Sequence, residues 1–486
     1  MLMIVISLII TIYAYLLIRF GIHMFQQNGY KNKVHLKWIR QNLIRLYKGA
    51  LSTKPTKKPL VYTPRVIRLF VTVVLLFVIC CILNRYFGNK YSLLIMVIIY
   101  TFILGPFLPI IGNIINYPVE KHISNGFIRS AKQKLAMSPE LTVIGITGSY
   151  GKTSVKFYLD TLLATKYEVL TTPESYNTPM GVVKTINNSL RPTHRIFLCE
   201  MGARNVGDIK ELCDIVHPKH GIITSIGAQH LESFKTQENI TNTKFELADA
   251  IGSDGFLFLN YDNEFISQHN KNENAVTYSI KGKGRYNASD ITTSVKGTAF
   301  TVTAPDGETA EFSMKLIGEH NVTNVLGAIA VSNTLGIPLE DLKIPVKRLK
   351  SVAHRMELLE KNGVTIIDDA YNSNPAGAKA ALDTLAMFKD STKILITPGM
   401  VELGEKEYEL NKIFGTQASD SVDYIILVGE KQTEAIASGV KEAGFDEKKL
   451  MIAESFTDAM SRVYSISGER HKVLLIENDL PDNYDK

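Results

Sequence analysis

The chain has 486 residues, and its formal net charge of +6 is the average of two unlike parts. Residues 1–119 hold fourteen Lys and Arg and no acid, whereas the remainder holds 40 basic and 48 acidic residues. Because the positive charge lies beside apolar runs, composition argues against a nucleic-acid partner. The length is sufficient for about three domains at ~150 residues each. The four cysteines form no C-x-x-C pair, which indicates neither disulfides nor zinc and fits a reducing cytosol.

Three apolar runs in the first part approach the ~20 residues that a membrane span requires. They cover residues 2–20, 69–83 with their flanks, and 93–115. The first run lacks the basic start and the small-residue cleavage site of a signal peptide, so we expect a retained anchor. The sequence therefore predicts a membrane anchor over residues 1–118, with three transmembrane helices in contact with lipid.

A basic loop, residues 21–68, separates the first two runs. It holds eleven Lys and Arg between Lys31 and Arg68 and no acid, which predicts the cytoplasmic side. Everything after about residue 116 is then also cytoplasmic, in a multi-pass protein of the cell membrane. Apolar residues from Val34 to Tyr47 alternate helically with basic ones. This segment is either an interfacial helix on anionic lipid or a solvated connector that only sets topology.

A glycine loop with the sequence T-G-S-Y-G-K-T-S occupies residues 147–154, between a predicted strand (141–146) and a predicted helix (155–163). Loop N–H groups and the helix N-terminus would face the phosphates of a nucleotide triphosphate. Lys152 would neutralise β- and γ-phosphate oxygens, and the Thr153 hydroxyl would ligate Mg²⁺. Ile146 stands where a Walker A loop needs glycine, so this is the shorter T-G-x-x-G-K-T form. The residues predicted to hold the triphosphate are Gly148, Ser149, Gly151, Lys152, Thr153 and Ser154.

Polar residues follow the next predicted strands, in a pattern that favours a parallel α/β sheet. Glu200 ends a buried strand, 195–199, where a carboxylate is well placed to hold Mg²⁺ directly or through water. The alternative is an ordinary surface acid. His230 follows the strand 221–226 at the same sheet edge, although a lone histidine is usually a satisfied polar residue. Lys244, taken alone, is one lysine on a helix.

These passages together resemble the Mur ligase family, in particular its members that add D-alanyl-D-alanine. The matching passages are the T-G-x-x-G-K-T loop, Glu200-Met201-Gly202-Ala203, residues 224–232 and Lys244-Phe245-Glu246. The resemblance implies a carbamylated Lys244 whose anion ligates a second Mg²⁺, with Glu200 and His230 also serving the metals. The implied metal set is Thr153, Glu200, His230 and Lys244.

Other positions are assigned by the same resemblance. The loop 175–179 resembles the family's substrate loop, which implies substrate contacts from Ser175, Asn177 and Thr178. Residues 318–324 resemble its adenine-contacting helix start, with Asn321 at the nucleotide. Asn321 is also a candidate N-cap of the helix that follows, and both roles can hold together.

The C-terminal region resembles the start of the family's third, Rossmann-like domain at residues 354–357 and 366–375. The resemblance implies that Arg355 reaches the γ-phosphate, and that Asp369 or its neighbour Asp368 reaches the ribose or phosphates. Tyr371 and Asn372 would lie at the incoming amine. A cation that arrives by domain closure stabilises the charge that develops in phosphoryl transfer. Strands at 393–397, 424–428 and 473–476 complete a small α/β domain.

Three departures accompany the resemblance. The family's K-G-S-R motif is absent after the last strand, where Glu477-Asn478 follows Ile476. Residues 398–404 match its G-D-M-x-E-L-G motif only in part. A membrane segment stands in place of the family's UDP-sugar-binding domain. The predicted division is an anchor (1–118), a central ATP-binding domain (119–345) and a C-terminal domain (346–486).

The implied function is an ATP- and Mg²⁺-dependent amide ligase that works through an acyl phosphate. Lys152, Lys244, His230 and Arg355 would carry catalysis. The implied substrates are D-alanyl-D-alanine and a muramoyl-peptide precursor of peptidoglycan, either soluble or lipid-linked. One alternative is a ligase of the same fold that adds glutamate to folate or poly-γ-glutamate chains. Another is a nucleotide-dependent cell-wall scaffold without turnover. The sequence gives no oligomeric state.

Overall fold

The structure is a computed structural model that describes residues 2–51, 58–88, 92–174, 176–371 and 373–480. The chain divides into two compact units, one containing Met1–Gly126 and the other Phe127–Asp479. Two predicted substrate residues, Ser175 and Asn372, lie outside the described residues.

The first unit is helical. Its helices are α1 (Leu2–Gln27), α2 (Asn32–Gly49), α3 (Pro64–Phe87), α4 (Ser92–Ile98) and the start of α5 (Leu108–Ala136). Among the described residues, three helical segments are long and apolar enough to cross a membrane: Leu8–Gln27, Pro64–Phe87 and Ser92–Ala136.

The third predicted apolar run is not one regular helix. A π-helical turn (Ile99–Leu104) and a 3₁₀ turn (Gly105–Phe107) join α4 to α5. Pro106 lies in the 3₁₀ turn, where its missing N–H cannot continue the regular hydrogen-bond ladder.

Helix α2 lies within the basic loop, and part of its apolar stripe is used for packing. Trp38, Ile39 and Leu46 are buried in a cluster with side chains of α1. Val34 and Leu43 remain exposed. The helical periodicity of this segment therefore follows in large part from burial of one face inside the helical unit.

The second unit contains two sheets, the first of which has nine strands in its described residues. The elements are β1 (Thr142–Thr147), α6 (Lys152–Leu163), β2 (Val169–Thr171), α7 (Pro179–Ser189), β3 (Ile196–Glu200), α8 (Asp208–Val216), β4 (His220–Ile223), α9 (Leu231–Phe234), α10 (Gln237–Ala250), β5 (Leu257–Asn260), α11 (Glu264–His269), β6 (Val276–Ser279), β7 (Tyr286–Ser294), β8 (Gly297–Thr303), β9 (Thr309–Met314), α12 (Glu319–Thr334) and α13 (Leu339–Lys347). The strand order is β2-β3-β1-β4-β5-β6-β7-β8-β9. Pairing is parallel from β2 to β7 and antiparallel for β7–β8–β9, which confirms the predicted parallel α/β sheet.

The second sheet has six strands in its described residues. Its elements are β10 (Glu357–Lys361), β11 (Val364–Asp369), α14 (Pro375–Ala386), β12 (Ser391–Thr397), α15 (Glu407–Ser421), β13 (Tyr424–Val428), α16 (Glu434–Glu442), β14 (Leu450–Ala453), α17 (Phe456–Ser465) and β15 (His471–Glu477). The order is β10-β11-β15-β12-β13-β14, with only the β10–β11 pair antiparallel. The three predicted strands of this region correspond to β12, β13 and β15.

Topology brings the predicted site residues to one edge of the nine-stranded sheet. Strand β1 lies between β3 and β4, with Ile146 opposite Glu200 and Thr147 opposite Ile223. Apolar clusters bury both faces of these strands, as a parallel sheet covered by helices requires. The glycine loop, Glu200 and the segment leading to His230 therefore leave the sheet at neighbouring carboxyl ends, where α/β proteins bind their ligands.

Candidate active site

The glycine loop is a tight backbone cradle at the start of α6. Gly148 has φ +150°, and Gly151, the residue before the helix, has φ +79°. A Cβ at Gly148 would lie 2.2 Å from Thr224 Oγ1, and one at Gly151 would lie 2.5 Å from Asn324 Oδ1. Only glycine satisfies both the backbone angles and the space. The loop thus presents backbone N–H groups and a helix N-terminus with no side chain in the way.

Ser149 anchors the loop to its surroundings. Ser149 N donates to Ser225 O at 2.6 Å, and Ser149 Oγ donates to Gly227 O at 3.1 Å. Ser154 is the third residue of α6. These contacts fix the cradle against the segment that follows β4.

The ammonium of Lys152 is held by the loop itself. Its Nζ donates to Gly148 O at 2.7 Å and to Ser149 O at 3.0 Å. Burial lowers the pKa of Lys152 to about 8, with Glu200 opposing the shift and Arg355 adding to it. A cation in this position can transfer its hydrogen bonds from the two carbonyls to phosphate oxygens.

Glu200 is an ionised carboxylate in a fully buried setting. Its Oε1 accepts from Thr153 Oγ1 at 3.1 Å and from Asn177 Nδ2 at 3.0 Å, and its Oε2 lies 3.1 Å from Lys156 Nζ. Burial alone would raise its pKa, but the charges of Lys156 and Lys152 and the hydrogen bonds from Asn177 and Lys156 hold the pKa below its ordinary value. The carboxylate therefore carries its charge at neutral pH.

Lys156 is a site residue that the sequence analysis missed. Its side chain is fully buried, and besides Glu200 it contacts the backbone carbonyl of Glu174. It lies four residues after Lys152, so both lysines share one face of α6. That i, i+4 spacing after the loop lysine was the available signal.

His230 lies at the same edge and contacts the second sheet's domain. It has a left-handed backbone (φ 55°), and its Nδ1 hydrogen-bonds to Glu402 Oε2. Burial lowers the pKa of His230 although Glu402 opposes the shift, so the imidazole is neutral at neutral pH. The sequence analysis also missed Glu402, whose only signal was its place in the partly matching 398–404 segment.

Lys244 is buried on α10. Burial lowers its pKa to about 7, with Lys152 adding to the shift while Asp208 and Glu246 oppose it. A substantial fraction of Lys244 is therefore the neutral amine at neutral pH, and this is the nucleophilic form of a lysine. That form can react with carbon dioxide to give a carbamate.

The four predicted metal ligands suit a hard divalent cation only if phosphate oxygens and water complete its coordination. Across the described ranges, no group of three or more His, Cys, Asp or Glu is placed to hold a metal. The predicted set contributes one carboxylate, one neutral imidazole, one hydroxyl and Lys244. Thr153 and Glu200 touch directly, and His230 and Lys244 both lie within electrostatic reach of Lys152. Oxygen donors of this kind suit Mg²⁺ that also binds phosphate oxygens and water.

The domain of the six-stranded sheet supplies Arg355 to this region. Its guanidinium carbon lies 4.3 Å from the centroid of the Tyr371 ring. The charge of Arg355 also contributes to lowering the pKa of both Lys152 and Lys156. The positive charge of Arg355 therefore acts on the same side of the glycine loop as the charges of Lys152 and Lys156.

Asp369 and Glu477 form a buried carboxyl pair at the ends of adjacent strands β11 and β15. Met356 N donates to Asp369 Oδ1 at 3.1 Å, and Ser373 Oγ donates to Glu477 Oε1 at 2.5 Å. Burial raises the pKa of Asp369 to about 6. Burial, with Asp369 adding to it, also raises the pKa of Glu477 well above its ordinary value. The pair therefore holds its protons to a higher pH than ordinary carboxyls do, a feature that was not predicted from the sequence.

Asn321 contacts α6 rather than capping α12. The residue before the helix is Gly318, so the N-cap alternative for Asn321 is wrong. The Asn321 side chain accepts from Tyr158 OH at 3.0 Å and donates to Ile317 O at 2.9 Å. The structure thus fixes Asn321 beside the helix that follows the glycine loop.

The predicted substrate loop has structural contacts of its own. Thr178 Oγ1 accepts from Gly181 N at 3.4 Å as the N-cap of α7, and Asn177 O accepts from Gly202 N at 2.8 Å. Together with the Asn177–Glu200 hydrogen bond, these contacts tie the loop to the carboxyl end of β3.

A cavity of about 360 Å³ lies between residues of both sheets' domains. Its apolar lining includes Leu316, Ile317, Leu349, Met356 and Ile367. Its size falls at the lower end of small-molecule sites. Because Met356 follows Arg355 and Ile317 accepts from Asn321, the cavity adjoins the residues predicted to hold a nucleotide.

Family comparisons agree with the geometry. The Mur ligase middle domain matches residues 146–332, and the Mur ligase glutamate ligase domain matches residues 354–476. A UDP-N-acetylmuramoyl-tripeptide–D-alanyl-D-alanine ligase of Bacillus subtilis (strain 168) is 32% identical over 291 residues, covering 59% of this chain and 63% of the relative. One from Buchnera aphidicola (subspecies Baizongia pistaciae) is 32% identical over 303 residues, covering 61% and 65%. The chain thus spans less than two thirds of the length of these relatives.

Solved structures share the fold. The MurF ligase of Thermotoga maritima in complex with ADP has a TM-score of 0.66 at 26% identity, covering 73% of this chain and 80% of that one. MurF of Acinetobacter baumannii has a TM-score of 0.67 at 24% identity, covering 74% and 78%. The two domain matches, at residues 146–332 and 354–476, show that the chain belongs to the Mur ligase family.

Proposed function

We propose that this protein is an ATP-dependent amide ligase that activates a carboxylate as an acyl phosphate. The observation that carries the proposal is the joint arrangement of the glycine loop, the ionised Glu200 and the nearby Arg355. The loop offers N–H donors, and Lys152 and Arg355 offer cations from two different domains. Cations on both sides would neutralise the negative charge of an adenosine triphosphate bound there.

Mg²⁺ held by Thr153, Glu200, His230 and a carbamate on Lys244 would neutralise phosphate charge and orient the phosphoryl group. The chain's own residues prepare this site. Lys156 keeps Glu200 ionised, and burial keeps Lys244 partly neutral and so able to accept carbon dioxide. Asn321 and the adjoining cavity would receive the adenine, and Asp369 the ribose or phosphates.

The reaction needs no side-chain nucleophile. A carboxylate oxygen of the acceptor attacks the γ-phosphorus of ATP, and ADP leaves. The nitrogen of an amine then attacks the acyl carbon, loses a proton, and expels inorganic phosphate together with the original carboxylate oxygen. Catalysis is positioning plus charge neutralisation, so it depends on Lys152 and Arg355 being brought to the same phosphates.

The substrates follow from the names of the relatives. We propose a muramoyl tripeptide as the carboxylate donor and D-alanyl-D-alanine as the amine. Tyr371 and Asn372 would contact the amine, and Ser175, Asn177 and Thr178 the acceptor. Asn177 supports this assignment because its hydrogen bond to Glu200 brings the loop to the phosphate end of the site.

The first unit supports a membrane-bound form of this ligase. We propose that residues 1–118 anchor the protein as a multi-pass protein of the cell membrane, ahead of cytoplasmic domains at 119–345 and 346–486. The three apolar helical segments support the anchor. They also favour a second candidate acceptor, in which the muramoyl peptide is lipid-linked instead of carried by UDP.

Phosphate release by the detergent-solubilised full chain tests the proposal. We expect release that requires ATP, Mg²⁺, D-alanyl-D-alanine and either the UDP-linked or the lipid-linked muramoyl tripeptide. Dependence on glutamate would instead indicate the folate or poly-γ-glutamate alternative. Absence of turnover with every pair would favour the scaffold alternative.

A further inference from the structure

Glu402 joins the two α/β domains at the candidate active site. It belongs to the loop between β12 and α15, on the domain of the six-stranded sheet. Its Oε2 hydrogen-bonds to Nδ1 of His230, and its Oε1 lies 3.3 Å from Arg204 Nη1. Both partners belong to the domain of the nine-stranded sheet. One carboxylate therefore bridges two side chains of the opposite domain.

Backbone contacts fix this carboxylate in place. Glu402 O accepts a long hydrogen bond from Glu232 N at 3.4 Å. A Cβ at Gly404 would lie only 3.5 Å from the Glu232 backbone, so the loop packs closely on the start of α9. Glu402 itself has φ +65°, which an L residue with a long side chain rarely adopts. Such conformations persist where surrounding contacts over-determine them, and they cluster at functional sites.

The contact selects one form of the His230 ring. The carboxylate accepts the proton on Nδ1, which leaves the lone pair of a neutral imidazole on Nε2. Metal-binding histidines usually donate their second ring N–H to a carboxylate in this way, and that partner fixes both tautomer and ring orientation. Glu402 stands in this relation to His230.

We propose that Glu402 is a positioning residue that holds His230 as an Nε2 ligand for the divalent cation of the phosphate site. The ligand is oriented by a residue of the other domain, so cation affinity depends on the contact between the two domains. This inference rests on the proposed function, because it assumes a cation bound with the nucleotide. It adds a residue that links domain closure to metal binding.

Mn²⁺ binding to the detergent-solubilised full chain, with a non-hydrolysable ATP analogue, provides the test. Titration followed by electron paramagnetic resonance gives the affinity, and electron spin echo modulation detects imidazole nitrogen on the bound ion. For Glu402→Ala we expect affinity to fall by about 10- to 100-fold and the nitrogen modulation to weaken. Glu402→Gln keeps an oxygen that can accept from Nδ1, so it should retain more affinity than Glu402→Ala. Both variants are checked for folding by circular dichroism.

The matched control is Glu405→Gln, which removes an exposed carboxylate from the same loop and should bind Mn²⁺ like the wild type. His230→Ala shows the nitrogen modulation that remains when the imidazole ring is removed. If the wild type binds Mn²⁺ with nitrogen modulation and folded Glu402→Ala does the same, the inference is wrong while the proposed function stands. If the wild type binds no Mn²⁺ with the nucleotide analogue, both are wrong.

Discussion

Glu200 and Glu477 both end strands of their sheets, yet their surroundings shift the pKa values of the two carboxyls in opposite directions. Each ends a strand that has a parallel neighbour on both sides, and each is almost completely buried. Glu200 faces Lys156 and Lys152, which keep its pKa low, whereas Glu477 faces Asp369, which adds to a raised pKa. Burial alone would raise the pKa of both carboxyls, so the charged partner decides the direction of the net shift. The first sheet edge is thereby suited to cations and phosphate, and the second to retaining a proton.

Lys244→Ala is expected to have the largest effect on activity at the edge of the nine-stranded sheet that holds the candidate active site. We expect phosphate release to fall by about 10²- to 10³-fold, the loss typical of removing one preorganised charge-stabilising group. Lys210→Ala, on the exposed face of α8, is the control and should keep full activity. Rescue of Lys244→Ala by small carboxylates would support a carbamate. Full activity of the variant without additives would disprove that role.

Lys156→Met tests what keeps Glu200 ionised. Removing one partner of a buried ion pair leaves an uncompensated charge, so we expect a loss of about 3–5 kcal/mol in the free energy of unfolding. Lys210→Met breaks a surface pair with Asp214 and should lose less than about 1 kcal/mol. Urea unfolding at pH 7.5 in detergent measures both. Equal losses in the two variants would mean that the buried pair has no special role.

Glu477→Gln tests the raised pKa values of Asp369 and Glu477 through the pH dependence of the free energy of unfolding. Both carboxyls of the pair have raised pKa values in the folded state, so they favour folding at low pH and lose that contribution as pH rises through those values. The amide cannot ionise, so the variant should be more stable than the wild type above about pH 6, on the order of 1 kcal/mol.

A measurement at low pH and a second variant provide the controls for Glu477→Gln. Below pH 4 the wild type and the variant should have similar unfolding midpoints, because the wild-type carboxyl of Glu477 is then largely protonated, and so uncharged like the amide, in both the folded and the unfolded state. Glu469→Gln removes an exposed carboxylate just before β15 and should leave the pH profile unchanged. A destabilised Glu477→Gln at pH 8 would show that Glu477 is ionised in the folded protein.

Tyr371 provides the smallest expected effect. Its ring lies under the Arg355 guanidinium, a contact worth about 0.5–1 kcal/mol. Tyr371→Leu should therefore lower kcat/KM for ATP by about two- to fivefold, and Tyr371→Phe should not, since it keeps the ring. Steady-state kinetics at saturating amine separate the two. An equal loss in both variants would point to the hydroxyl instead of the ring.

Sequence patterns predicted the strands, helices and loops whose structure depends on residues close together in the chain. The buried strand Tyr424–Val428 has the predicted bounds, and the T-G-x-x-G-K-T loop lies between a strand and a helix as expected. Local patterning also identified the apolar helical segments, but the Gly105-Pro106 interruption was missed because the run was counted by composition alone.

The missed site residues all depend on distant partners. Glu402 meets His230 across 172 positions, and Glu477 lies beside Asp369 only because β15 inserts between β11 and β12. Lys156 has a partner that is less distant in the sequence, since the carboxylate that it pairs with is Glu200 at the end of β3. A charge's role depends on what the fold places opposite it, and no local pattern specifies that partner.

The most direct measurement follows one oxygen atom through the reaction. The muramoyl tripeptide is labelled with ¹⁸O in its terminal carboxylate and incubated with ATP, Mg²⁺, D-alanyl-D-alanine and the detergent-solubilised full chain. Because the acyl phosphate forms through that carboxylate, we expect one ¹⁸O atom in each phosphate released, detected by the isotope shift in ³¹P NMR. Amide formation with unlabelled phosphate would contradict an acyl-phosphate ligase.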